Sequence, residues 1–173
     1  LADGINEPEY DGILHADIGI EMYYLGMKKK AFHLFTRAIK IAKNHYSPAS
    51  TANAFLKLSK YFITINSPQR SEDMLTRALH IIDNEIEKTE VQYKTELLGK
   101  CVEVSLSLDN IVKALLITDM ISDATIKTRA FLGIAYIYYA SNQYDKLRRL
   151  LNLCRETVTR ILRSREQAPL LVK

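Results

Sequence analysis

Residues 35–44, Phe-Thr-Arg-Ala-Ile-Lys-Ile-Ala-Lys-Asn, recur at 75–84 as Leu-Thr-Arg-Ala-Leu-His-Ile-Ile-Asp-Asn, with Thr36/Thr76, Arg37/Arg77, Ala38/Ala78, Ile41/Ile81 and Asn44/Asn84 identical at a spacing of 40. Self-similarity at a period of roughly 20 to 50 residues marks a solenoid, because each unit is too small to bury its apolar face alone and must stack on a neighbour. An array of about four helical hairpins fits a chain of 173 residues. The hydrophobic fraction of 47% supplies enough apolar surface for a packed core, which excludes a disordered chain. No apolar run reaches the roughly 18 residues of a membrane span, so no membrane partner is expected.

Helical periodicity alternates with short polar breaks along the whole chain. Ile13, Ile18, Met22 and Leu25 mark a first helix that stops at Gly26, and Ala31, Leu34, Phe35, Ala38 and Ala42 a second over 28–44. Ser47-Pro48 breaks the chain. A third helix runs through Ala52, Phe55, Leu58 and Phe62 to Asn66-Ser67-Pro68, and a fourth covers about 70–87, with Ser71 as its N-cap and Glu72 and Asp73 in its first turn. Val91 to Leu106 predicts a fifth helix, Ile111 to Ile121 a sixth, and Asp123 caps a seventh that ends near Ser141-Asn142. The eighth, about 143–165, is longer than the others, and residues 166–173 form a tail. No segment reads as strand.

On these residues the chain resembles the tetratricopeptide repeat family, whose hairpins carry a large residue, a small residue and an aromatic in the first helix, then Ala-x3-Phe-x2-Ala in the second. Ile18-Gly19, Met22, Ala31, Phe35 and Ala38 match it in the first hairpin. Leu58-Ser59, Phe62, Ser71, Leu75 and Ala78 match in the second; Leu98-Gly99, Val102, Ile111, Leu115 and Thr118 in the third; Leu132-Gly133, Tyr136, Lys146, Leu150 and Leu153 in the fourth. The small residues then stand at 19, 59, 99 and 133. The resemblance implies an all-α, right-handed α-α superhelix of four antiparallel hairpins in a single domain over 1–173, with hairpins at about 12–46, 51–88, 90–122 and 124–165 and the long last helix as a cap.

Proteins of that family hold peptides or helices of partner proteins on the concave face lined by the first helix of each hairpin. In the register above, that face receives Ile13, Ala16, Ile20, Tyr23 and Tyr24; Asn53, Leu56, Lys60 and Ile63; Tyr93, Glu96, Lys100 and Glu103; and Lys127, Ala130, Ile134 and Tyr138. Tyrosines offer rigid amphipathic area, and Lys and Asn offer orientation, a mixture suited to peptide capture. A carboxylate clamp of the kind some members use is not supported, because its first-hairpin positions hold Ala16 and Ile20.

Charge is asymmetric. Asp3, Glu7, Glu9, Asp11, Asp17 and Glu21 occupy the first helix region without any Lys or Arg, whereas Lys146, Arg148, Arg149, Arg155, Arg160, Arg163 and Arg165 crowd the last helix. Such a distribution suits head-to-tail association between copies, an acidic partner or nucleic acid. Val158, Ile161 and Leu162 on the same helix read as a capping stripe or a docking edge.

Chemistry is weakly signalled. His15, His33, His45 and His80 lack i, i+4 pairing, and His33 and His80 read as surface residues. Leu98-Gly99-Lys100 lacks the first glycine of a phosphate loop, since Lys94 stands in its place. Cys101 and Cys154 are far apart without metal-ligand spacing and lie in apolar segments, which suggests buried thiols in a reducing compartment. The start, Leu-Ala-Asp-Gly-Ile-Asn-Glu-Pro, has no charged and apolar leader. The expectation is a cytoplasmic binding protein, neither an enzyme nor a cofactor carrier.

Overall fold

The computed structural model describes the backbone of residues 8–45, 47–87 and 90–167 and the side chains of 12–44, 47–87 and 90–159. All regular structure among them is helical: α1 (Pro8–Tyr24), α2 (Lys28–His45), α3 (Pro48–Thr64), α4 (Pro68–Asn84), α5 (Val91–Ser107), α6 (Ile111–Met120), α7 (Ala124–Ala140) and α8 (Tyr144–Gln167). The chain forms two compact units, Leu1–Leu97 and Leu98–Lys173. In the first, α1 packs on α2, α3 packs on α4, and α3 also touches α1 and α2; in the second, α7 packs on α8 and touches α6.

Helix starts follow local chemistry. Ser47 is the N-cap of α3, accepting from the Ser50 amide at 3.2 Å, with Pro48 just inside the helix where a missing N–H costs nothing. Asn110 caps α6 through the Lys113 amide at 3.1 Å, and Asp123 caps α7 through the Ile126 amide at 2.8 Å. The expected cap Ser71 is instead a fully buried residue within α4. Ser67 takes the cap position and Pro68 starts the helix, so Glu72 and Asp73 fall beyond its first turn.

Four turns share one geometry. Gly26, Asn66, Asp109 and Asn142 all have left-handed backbone, with φ of 78°, 55°, 57° and 57°. After each, the next amide reaches back five residues: Met27 to the Met22 carbonyl at 2.9 Å, Ser67 to Phe62 at 2.7 Å, Asn110 to Ser105 at 2.9 Å and Gln143 to Tyr138 at 2.8 Å. This is the Schellman closure of a helix, which favours Gly, and after it Asn or Asp, at the left-handed position.

These turns set the register of the hairpins, and it differs from the expectation in the second half. Counting seven back from each left-handed residue places Gly19, Ser59, Val102 and Ala135 in equivalent positions; counting five forward places Ala31, Ser71, Ala114 and Leu147. Ala31, Ser71 and Ala114 are completely buried, and so is Thr118 at the position matching Leu75. The third hairpin is therefore shifted by three residues, and in the fourth α7 is shifted by two and α8 by one. Gly99 and Gly133 are not counterparts of Gly19, because they serve other contacts. A Cβ on Gly19 would stand 2.8 Å from the Phe35 ring within the α1–α2 hairpin, whereas one on Gly99 would stand 3.0 Å from Ile126 of α7, and one on Gly133 3.2 Å from Leu106 of α5. Here the glycines let α5 and α7 approach each other closely.

The cores are ordinary and satisfied. Phe35, Phe55, Leu58, Leu75 and Ile82 fill the first unit, and Cys101, Val104, Ile117 and Ile134 the second. Ser105 and Thr118 are buried with their hydroxyls donating to the carbonyls of Cys101 and Ala114 one turn earlier, at 2.9 and 2.7 Å. No buried side-chain polar atom among the described residues lacks a partner, which accounts for polar residues being tolerated there.

Candidate binding faces

In the first unit the predicted face is partly spent on packing. Ala16, Ile20 and Leu56 are buried and hold the hairpins together. Tyr23 is half-buried: its hydroxyl donates to the Ile65 carbonyl at 3.4 Å, its ring meets Tyr24 and Phe32 edge-on, and the Lys28 ammonium lies 5.4 Å from the ring centroid. Tyr24 is 62% exposed. Asn53 is half-buried, and Lys60 is exposed. Tyr93 and Glu96, both exposed, line a shallow cleft of about 410 Å³ with Ser47, Ala49 and Ser50 at the start of α3.

Beside this face lies an arrangement that the sequence did not announce. Asp17 of α1 meets the Lys57 ammonium of α3 through both carboxylate oxygens, at 2.9 and 3.1 Å, and accepts a hydrogen bond from the Tyr61 hydroxyl one turn along. Lys57 and Tyr61 are four apart on α3, so both reach the same carboxylate, and the ammonium also lies 5.6 Å from the Tyr61 ring centroid. Burial first, then the hydrogen bond to and the charge of Asp17, push the Tyr61 hydroxyl well above its ordinary value of 10.0, so it stays a neutral donor. This cluster ties α1 to α3. No sequence pattern pairs residues 17, 57 and 61; only the helix contact does.

In the second unit Lys100 and Glu103 are exposed on α5. Lys127 is turned back onto the end of α6, donating to the Asp119 carbonyl at 3.2 Å with the Asp119 carboxylate at 3.8 Å. Tyr138, expected in the groove, is buried at 8% exposure beneath the Lys146 ammonium, and Ala130 and Ile134 are buried with it. The cause is the two-residue shift, equivalent to 200° around a helix of 3.6 residues per turn, which exchanges the two faces of α7. The open face of α7 carries Leu132, Tyr136 and Tyr139, exposed at 54%, 73% and 62%, with the Tyr139 ring edge-on to Tyr144 at 6.4 Å. Spaced at i, i+4 and i+7, they form one continuous apolar stripe with Arg129, also exposed, one turn before. The glycine-based register assigns Leu132 and Tyr136 to hairpin-motif positions and leaves them off the binding face. Aligning Asn142 with Asn66 and Gly26 at the turns, rather than glycine with glycine, would have found them.

On α8, Arg148, Arg149 and Arg155 are exposed. Arg160, Arg163 and Arg165 lie on its last turns with side chains outside the described residues, as are those of Ile161 and Leu162; Val158 is 39% exposed. The acidic residues Asp3, Glu7, Glu9 and Asp11, like positions 168–173 of the tail, are also outside that description. His33 and His80 are exposed, as their pattern suggested. Cys101 and Cys154 are buried free thiols; burial raises both, Cys101 to about 12, which removes them as nucleophiles. Among the described residues no cluster of His, Cys, Asp or Glu has the makings of a metal site, and no helix is long and apolar enough to cross a membrane. Comparison with protein-family models, curated proteins and solved structures gives no match for this chain.

Proposed function

We propose that this chain is a tetratricopeptide-like interaction scaffold of the right-handed α-α superhelical class, with α8 as its cap, which binds a peptide or helix of a partner protein. The observation that supports it is the α7 stripe: Leu132, Tyr136 and Tyr139 are large, apolar and mostly exposed on one helix face. A monomeric protein rarely leaves contiguous apolar area in water without a use for it, and Tyr is enriched among residues that dominate binding energy. In the family that the sequence resembles, the first helix of each hairpin presents the partner-binding side chains. With the turns aligned, Arg129, Leu132, Tyr136 and Tyr139 are the counterparts of Ile13, Ala16, Ile20 and Tyr23 in the first hairpin and of Asn53, Leu56, Lys60 and Ile63 in the second. The activity is binding rather than catalysis, in a cytoplasmic setting. A second reading, nucleic-acid binding by α8, rests on the exposure of Arg148, Arg149 and Arg155.

The test is capture from source-cell lysate by the wild-type chain and by Tyr136→Ser/Tyr139→Ser, each with and without nuclease. A protein retained after nuclease by the wild type and lost by the variant, whose circular dichroism is unchanged, supports the reading. Equal retention by both sinks it, and loss of all retained material with nuclease favours the second reading.

A further inference from the structure

We infer that two copies of this chain associate head to tail, α8 of one docking in a cleft on α1 of the other. The cleft, about 510 Å³, lies in the first unit; its apolar lining is Ile18, Ile20, Met22 and Leu25, and Asp17, Glu21 and Tyr61 line it with them. Leu25 is 73% exposed, so the apolar lining continues out to the surface. Asp17 is already matched by Lys57, which leaves the exposed Glu21 as the charge the cleft offers a partner. The sequence around it, from Asp3 to Glu21, holds six acidic residues and no Lys or Arg.

The complementary surface is on α8. Arg148, Leu151, Arg155 and Val158 are all exposed and stand at i, i+3, i+7 and i+10, one stripe in which a cation alternates with an aliphatic side chain. It runs beside the inward stripe of Leu150 and Cys154 that packs the helix onto its own unit. Leu151 and Val158 supply the apolar inserts that the cleft lacks, and the flanking arginines meet Glu21. Both charge and hydrophobicity therefore match, which neither surface achieves against itself: α8 on α8 repels, and so does α1 on α1. Because the two surfaces differ, the contact is heterologous, and association closes into a ring of two or more copies or runs on as a filament.

Sedimentation of the full chain tests this. At about 0.02 M salt the weight-average mass should climb above 19.8 kDa with concentration and fall back toward it at about 0.5 M, where the Debye length shrinks to a few Å. Two variants at exposed positions should each remain monomeric with unchanged circular dichroism: Glu21→Lys/Leu25→Asp in the cleft, and Leu151→Asp/Arg155→Glu on α8. Mixed in equal amounts, they retain one intact cleft and one intact α8 stripe, and should form a species of twice the monomer mass and no larger. A wild type that stays monomeric at low salt overturns the proposal. So does an assembly that both variants preserve, or a mixture that yields no dimer.

Discussion

The Ser59 hydroxyl donates to the Ser71 carbonyl at 2.8 Å and stands 2.7 Å from the Ser71 hydroxyl, joining α3 to α4 at a point buried from water. The equivalent point of the first hairpin is Gly19 against Ala31, where the missing Cβ leaves room for the Phe35 ring and the Ala31 carbonyl, 2.8 and 3.4 Å from where that Cβ would stand. One position thus solves the same close approach twice, by a satisfied hydrogen-bond pair and by removal of the Cβ. Ser59→Ala should cost about 1–2 kcal/mol, because the Ser71 hydroxyl loses a buried partner. Gly19→Leu should cost more, about 1–3 kcal/mol or beyond, from overpacking against Phe35. Urea unfolding with the slope unchanged measures both.

The left-handed turns make a second prediction. Asn66→Gly and Asn142→Gly should be neutral or slightly stabilising, while Asn66→Val should lose about 1–2 kcal/mol, since a β-branched residue at a φ of 55° is strained. Thermal unfolding of the three variants separates these outcomes; a valine that costs nothing would mean that the turn does not hold the register.

Tyr61 makes stability depend on alkaline pH. Its folded value lies above the unfolded one near 10, so its neutral hydroxyl contributes in full below about pH 10 and loses that contribution as pH rises past it. The difference in urea midpoint between wild type and Tyr61→Phe should be constant from about pH 7 to 9 and shrink above about pH 10. A difference that stays flat above about pH 10 would show that neither burial nor Asp17 raises the Tyr61 hydroxyl in solution.

Exposed and buried positions of α7 should respond in opposite ways. Tyr136→Ser and Tyr139→Ser should alter stability by less than about 0.5 kcal/mol, while Ile134→Ala should cost about 2–5 kcal/mol. Tyr138→Ala should fall with Ile134, as a buried ring does. Reversal of that order would restore the glycine-based register.

The thiols offer a chemical check on the cores. Native protein at about pH 8 should resist alkylation at both Cys101 and Cys154, and urea should expose both, because burial keeps them protonated. Mass spectrometry of the alkylated chain counts them directly.

Helix identity was legible in the residues because apolar periodicity and turn chemistry are local: Gly26, Ser47-Pro48 and Asp123 each act within a few positions of themselves. The end of α1, the cap of α7 and the all-helical class followed from them. Register was legible in the first two hairpins, where a near-identical stretch fixes it, and illegible in the last two, where Gly99 and Gly133 imitate the hairpin glycine while serving the contact between α5 and α7. Which tyrosine is open and which is buried followed from that register, since a shift of two residues turns a helix face by more than half a circle. Local pattern alone carried the helices of the described residues and the excess of acid toward the start of the chain and of base on α8. Only the tertiary structure decided that Tyr138 packs while Tyr136 faces water, and that Asp17, Lys57 and Tyr61 meet, because burial and pairing depend on which helices touch, and no local pattern encodes that.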